Sequence, residues 1–222
     1  MATVLILGGS RGIGAALVAR HLAQGDRVIA TARDDAALSR LREAGAEPLR
    51  LDVANAQSVS ALAWQLDGES LDTAWYVAGV MDRADATQPP TREAFDRVMH
   101  TNVLGAMQVI PQVGPLVAAA QGRFLFVSSV MGRIADVSGS NAWLYRVSKA
   151  ALNMAVASAQ HSYPEAVFVA VHPGWVQTDM GGAAAPLSVE QSAADLVALA
   201  GRLGAAERGA FLNHDGTRFA GW

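Results

Sequence analysis

The chain is expected to fold as one α/β domain over residues 1–222: a doubly wound, seven-stranded, mainly parallel sheet with helices on both faces. Three observations lead there. Short apolar runs rich in Val, Ile, Leu and Phe alternate with helical patterns along the whole chain. The first run opens directly into a glycine-rich loop and then a helix. No internal repeat, linker or low-complexity stretch interrupts the alternation.

Residues 3–7 form a continuous apolar run, the pattern of a strand covered on both faces. Gly8-Gly9-Ser10-Arg11-Gly12-Ile13-Gly14 follows, and residues 15–24 read as a helix. Strand, glycine loop and helix in this order set backbone N–H groups and a helix N-terminus against a phosphate, and the glycines let a pyrophosphate approach the backbone. Gly8-Gly9-Ser10-Arg11-Gly12 also spells the Gly-x-Ser-x-Gly elbow of α/β-hydrolases. Too little chain precedes it to hold the oxyanion-hole loop that such an elbow needs.

The second strand, 27–32, ends at Ala32, where a dinucleotide site usually carries an acidic residue for the ribose 2′-hydroxyl. Arg33 follows, and with Arg11 it offers two guanidinium groups suited to a 2′-phosphate. Asp34 and Asp35 blur this choice or simply cap the next helix, 36–44. The third strand, 47–51, ends at Asp52, which could reach an adenine amine. Asn55 caps a helix running to about residue 66, and the fourth strand, 73–77, breaks at Ala78-Gly79. A helix from Thr91 to about residue 110 carries Asn102, either a satisfied core amide or a site residue, and Pro111 and Pro115 interrupt its tail.

The fifth strand, 123–127, delivers Ser128 and Ser129 at its carboxyl end, the side on which open α/β sheets bind ligands. A loop over 130–141 leads to a helix capped by Ser140 or Asn141 and ending before Pro164. The sixth strand, 166–171, precedes His172-Pro173-Gly174. Ser188-Val189-Glu190-Gln191 reads as a capping box opening the last long helix, and 210–212 is a short seventh strand.

Composition narrows the function classes. Half of the residues are hydrophobic (51%) and 17% charged, which suits a packed globular protein. A net charge of -3 gives no reason to expect a nucleic-acid partner. There is no cysteine, and the five histidines lack ligand spacing, so no metal is assigned. The N-terminus lacks a basic region, and no apolar run reaches the ~18 residues of a membrane span, so a soluble cytoplasmic protein is expected.

The chemistry centres on Tyr145-Arg146-Val147-Ser148-Lys149. A tyrosine and a lysine four apart share one helix face. In a cleft, the ammonium should favour the phenolate and bring the tyrosine into working range as a proton donor or acceptor. An exposed tyrosine resting on a lysine stem is the plain alternative.

Together, Gly8-x-x-x-Gly12-x-Gly14, Asp52, Ala78-Gly79, Asn102, a serine ending strand five, Tyr145-x-x-x-Lys149 and Pro173-Gly174 resemble the short-chain dehydrogenase/reductase family. Ser128-Ser129-Val130-Met131-Gly132, Tyr145 to Asn153 and His172 to Met180 are similar to its C-factor-like branch, which includes sniffer-type carbonyl reductases. The resemblance implies a Rossmann-type fold and hydride transfer between a nicotinamide cofactor and a carbonyl or alcohol substrate. NADP(H) would be preferred, with NAD(H) possible. By position, Tyr145 would be the acid/base, and Lys149 would lower its pKa and hold the nicotinamide ribose. Ser129 would bond the substrate oxygen, and Asn102 would order a water in a proton relay through Lys149. The cofactor would lie against Gly8, Ser10, Arg11, Gly12, Ile13, Gly14, Arg33, Asp52, Val53, Ala78, Gly79, Tyr145, Lys149, Pro173, Gly174, Val176 and Thr178. Ser128 would point to the opposite face of an extended strand, which favours Ser129.

A homo-oligomer, dimer or tetramer, is the family's usual assembly, formed through the helices starting near Thr91 and Ser140. The same fold with little turnover, acting as a signalling or interaction protein, is the alternative. Three departures stand out. Leu7 replaces a threonine usual before the first glycine, Tyr76-Val77 replaces a pair of asparagines, and the segment between Thr178 and the last long helix is short. Trp143 and Trp175 flank the expected site, as pocket walls or as packing.

Overall fold

The computed structural model describes residues 1–222. Seven strands, β1 (Thr3–Leu7), β2 (Arg27–Ala32), β3 (Glu47–Arg50), β4 (Thr73–Tyr76), β5 (Arg123–Val127), β6 (Val167–His172) and β7 (Phe211–Asn213), form one sheet in the order β3-β2-β1-β4-β5-β6-β7. Every neighbouring pair is parallel, so the sheet is wholly rather than mainly parallel. The order reverses between β1 and β4, opening a crevice beyond the carboxyl ends of those strands.

The helices are α1 (Gly12–Ala23), α2 (Asp35–Glu43), α3 (Ala56–Ser60), α4 (Leu62–Gln65), α5 (Arg92–Met99), α6 (Gly105–Ala119), α7 (Trp143–Gln160) and α8 (Val189–Arg202). Strand alternation sends Val4 and Ile6 to one face and Leu5 and Leu7 to the other. Each face joins a cluster of 24 buried residues, so the sheet is covered equally on both sides. One cluster is centred on Trp75, Leu125, Val169 and Leu196. The other is built on Phe124, Phe126 and Phe168 against Val109 and Val113 of α6, with Phe124 and Phe126 ring centroids 4.2 Å apart.

Several boundaries differ from the sequence reading for local reasons. Helix α1 begins at Gly12, inside the glycine loop, because Gly12 and Gly14 complete its first turn. The helix expected over 55–66 is two short ones, α3 and α4, meeting at Ala61. Asn55 caps as expected, Asp34 takes the capping alternative, and Thr91, expected to start its helix, caps it instead; they accept from Ser58, Ala37 and Ala94 N–H groups. Neither Ser140 nor Asn141 caps α7. Its N-cap is Ala142 in the left-handed region (φ 53°), and the Asn141 side chain instead accepts from the Arg146 guanidinium. Ser188 accepts from Gln191 N, but the Gln191 amide turns to Asp195, leaving half a capping box.

The prolines do not end the long helix. Helix α6 runs through Pro111 and Pro115 to Ala119. Met107, Pro111 and Pro115 are exposed and four apart, so the carbonyls freed by each missing N–H face water. Opposite them, Val109, Ile110, Val113 and Val117 are buried and hold the helix to the sheet. Arg92–Ala119 is long and apolar enough by composition to cross a membrane, but half of its most apolar window is buried inside this fold.

Between α5 and α6 the helix widens into a π turn, His100–Leu104. The phenol of the fully buried Tyr76 donates to Thr101 O at 2.7 Å and ties β4 to this turn. Tyr76→Phe keeps the ring but leaves that carbonyl without its partner, so a loss of about 1–2 kcal/mol in urea denaturation is expected, with the m-value unchanged.

Candidate active site

The loop after β1 is shaped by close backbone approach. Gly8 has φ +99°, and a Cβ there would lie 2.9 Å from Ala78 N; a Cβ on Gly14 would lie 2.0 Å from Gly8 O. Only glycine permits both contacts. The first intrahelical bond of α1 is Ala15 N to Arg11 O, and no side chain caps the helix. The N–H groups of Gly12, Ile13 and Gly14 therefore precede the helical ladder, which is the donor arrangement a phosphate needs.

This loop forms one end of a 720 Å³ cleft at the carboxyl ends of the strands. Of the residues expected at the cofactor, Gly8, Ser10, Arg11, Gly12, Ile13, Arg33, Asp52, Val53, Ala78, Gly79, Tyr145, Lys149, Pro173 and Thr178 line it. Gly14, Gly174 and Val176 stand behind the lining, as do Asn102 and Ser129. No histidine is among the lining residues, so Ser10 has no general base and the hydrolase elbow has no chemistry here.

Helix α7 places Tyr145 and Lys149 one turn apart on the face turned to the cleft, with the Lys149 ammonium nitrogen 5.5 Å from the Tyr145 ring centroid. Lys149 Nζ donates to Val127 O at 2.8 Å. The Ser129 hydroxyl accepts from Met131 N at 3.1 Å and lies near enough to the Tyr145 phenol to favour its ionisation. Ser128 also lines the cleft, and its hydroxyl donates to Asn153 Oδ1 at 2.6 Å.

Asn102, fully buried in the π turn, donates to Val80 O and accepts from Val80 N, both at 2.8 Å. It also donates to Ser148 Oγ at 2.9 Å, and Ser148 donates to Tyr145 O. Both amide hydrogens are used. Asn102 thus fixes the strand-end loop to α7, and only one lone pair of its Oδ1 is left for a water. Gly79 lies between: a Cβ there would be 3.5 Å from Asn102 Oδ1 and 3.6 Å from Lys149 Nζ.

The charges behave differently from the sequence expectation. Burial pushes the Lys149 ammonium down to about 8 and the Tyr145 phenol up to about 12. The group pulling Tyr145 back toward ionisation is the Ser129 hydroxyl, not Lys149. The reason is that desolvation acts on both partners, and a lysine driven toward neutrality loses the charge that would stabilise a phenolate.

At the other end, Arg11 is not free: its Nη1 pairs with Asp179 Oδ2 at 2.8 Å. Arg33 is exposed at the cleft edge, and Asp34 is held by its capping bond to Ala37 N at 2.8 Å. Asp52 Oδ1 accepts from Ala54 N at 3.0 Å. Arg40 of α2 also lines the cleft, one turn beyond Ala37, and sequence reasoning missed it. The helical spacing was its only signal. Two departures from the family pattern are made good from elsewhere. Thr31 Oγ1 accepts from Gly8 N at 2.9 Å, supplying from β2 the side-chain bond that Leu7 cannot, while the Tyr76 phenol ties the β4 end. Trp143 and Trp175 do not line the cleft, and Trp175 donates to Gly181 O.

A family model for the short chain dehydrogenases matches residues 2–186. The chain belongs to that family. Among curated relatives, a 1-hydroxy-2-glutathionyl-2-methyl-3-butene dehydrogenase of Rhodococcus sp. (strain AD45) is 32% identical over all of both chains. The C-signal protein of Myxococcus xanthus is 37% identical over 146 residues, 64% of this chain and 82% of that one. Among solved structures, the carbonyl reductase Sniffer of D. melanogaster superposes with TM-score 0.92 at 29% identity, covering 100% of both chains. The NADPH-bound carbonyl reductase from chicken fatty liver gives 0.89 at 28%, covering 100% of this chain and 99% of that one. This short-chain dehydrogenase thus has oxidoreductases of the sniffer type and C-signal among its relatives.

Lys149 makes stability depend on pH. Its folded pKa of about 8 lies below its ordinary 10.5, so between these values the unfolded chain holds a proton that the folded chain has released. Stability should therefore rise with pH across that window, by roughly 2–3 kcal/mol from this residue. Tyr145, shifted upward from 10.0, acts in the opposite direction only above that value. Urea denaturation between pH 8 and 10 should show the rise in the wild type and a nearly flat profile in Lys149→Met.

Proposed function

We propose that this short-chain dehydrogenase is an NADP(H)-dependent carbonyl reductase with Tyr145 as its acid/base. The observation that carries the reading is a single cleft with a phosphate-ready helix N-terminus at one end and the Tyr145–Lys149 pair at the other, with Ser129 behind that end. The close approach of Gly8 to Ala78, the small Ala78-Gly79 pair and the unladdered N–H groups of α1 suit a dinucleotide laid across the switch point.

When bound, the nicotinamide cofactor supplies or receives the hydride. The Tyr145 hydroxyl gives its proton to the carbonyl oxygen as that oxygen gains charge, and the Ser129 hydroxyl donates a hydrogen bond to the same oxygen. Lys149 holds a proton beside them, steadied by Val127 O, and its remaining donors can take a ribose hydroxyl. Asn102 keeps the walls of this end in register through Val80 and Ser148.

The 2′-phosphate preference is supported by Arg33, Arg40 and Arg11, which line the cleft with Ala32 and outnumber Asp34, whose Oδ1 caps α2. A charge-assisted contact contributes about 1.5–3 kcal/mol, so NADPH should bind about ten- to a hundredfold more tightly than NADH, measured by fluorescence titration. Leu104 and Met107, with Val147 and Met154 on α7, are large exposed apolar side chains, and they support assembly as a homo-oligomer through these helices. The C-signal relative favours a second reading, a signalling protein with little turnover.

Tyr145→Phe separates the two. Carbonyl reduction, followed as loss of NADPH absorbance across aldehydes, ketones and quinones, should fall by about 10²–10⁴ while NADPH affinity stays within a few fold. Wild-type turnover in the variant would refute the acid/base role. A chain with no turnover on any carbonyl, whose variant keeps its cellular effect, would support signalling.

A further inference from the structure

The short segment after Thr178 is held against the glycine loop at the cleft mouth. Arg11 Nη1 meets Asp179 Oδ2 at 2.8 Å, and Arg83 donates to Met180 O at 2.8 Å. The Thr178 methyl packs on the loop, since a Cβ on Gly12 would lie 3.3 Å from Thr178 Cγ2. Within the segment, Thr178 Oγ1 accepts from Gly181 N at 3.0 Å and Trp175 Nε1 donates to Gly181 O at 2.8 Å. These contacts set the backbone, so the Asp179 carboxylate reaches Arg11 from a framed position. Arg11 and Asp179 both line the cleft that Arg33 and Arg40 line.

The pair is open to water, with side chains 71% and 81% exposed, and an exposed ion pair of this kind is weak. A phosphate monoester carries more charge than a carboxylate and meets a guanidinium in the same bidentate geometry. It is therefore the stronger claimant for Arg11, and it would meet repulsion from Asp179 on approach.

We propose that Asp179 is a specificity-determining residue that competes with the cofactor 2′-phosphate for Arg11, so that NADP(H) binding releases one tie of the 178–182 segment. The proposal rests on the NADP(H) reading of the cleft. Asp179 then sets how tightly the phosphorylated cofactor is held and links its binding to the segment over the mouth, while leaving NAD(H) binding alone. Arg33 and Arg40 keep a basic edge for the phosphate whatever Asp179 does.

NADPH and NADH are titrated by fluorescence at low ionic strength against wild type, Asp179→Asn, Arg11→Gln and the double variant. Asp179→Asn should tighten NADPH about three- to tenfold and leave NADH within about twofold. In the Arg11→Gln background the gain should vanish. Amide hydrogen exchange across 179–182 should be faster in the wild-type NADPH complex than in its NADH complex, and this difference should vanish in Arg11→Gln. The proposal is overturned if Asp179→Asn leaves NADPH within twofold, if both cofactors tighten equally, or if the gain survives in Arg11→Gln. Equal wild-type affinities for the two cofactors refute the NADP(H) preference itself. A gain confined to NADPH and dependent on Arg11 would still support the competition, and its absence would still overturn it.

Discussion

The architecture of the cleft depends on one buried amide. Asn102 is fully enclosed in the π turn, where its carbonyl oxygen and both hydrogens are shared between Val80 and Ser148. Three segments that are distant in sequence meet there: the loop after β4, the wide turn between α5 and α6, and the helix that carries Tyr145. A buried amide left half-bonded is expensive, so the three can only be satisfied together. The π turn is the local adjustment that brings the side chain to this junction, in keeping with such turns at functional sites.

Around that junction the dominant electrostatic effect is desolvation. The catalytic candidates Tyr145 and Lys149 are driven in opposite directions by the same apolar surroundings, the phenol up and the ammonium down. Both changes favour uncharged forms. An anionic ligand in the cleft would draw Lys149 back toward its protonated state, and a protonated Lys149 would in turn ease ionisation of Tyr145. The pairing seen in the Tyr-x-x-x-Lys spacing is therefore conditional on what fills the cleft.

The family pattern is preserved here by function rather than by residue. A loop that usually takes a side-chain bond from the residue before its first glycine takes it from Thr31, on the neighbouring strand. The end of β4, without the usual amides, is tied by a buried phenol instead. Parallel pairing makes both exchanges possible, because β2, β1 and β4 end side by side and present their carboxyl-terminal residues to the same loop.

The sequence by itself determined the strand–helix alternation, the glycine loop, the mainly apolar central strands and the position of Tyr145 and Lys149 on one helix face. These follow from periods of two and 3.6 and from local turn chemistry, which act over a few residues. Only the tertiary structure decided that Pro111 and Pro115 stay within a helix, because their tolerance depends on which face meets water. Only it showed Arg11 bound to Asp179, Asp34 capping α2, Arg40 at the cleft edge, and Lys149 desolvated enough to bring its pKa down to about 8. Each of these is a contact or a degree of burial between segments far apart in the chain, and no local pattern encodes it.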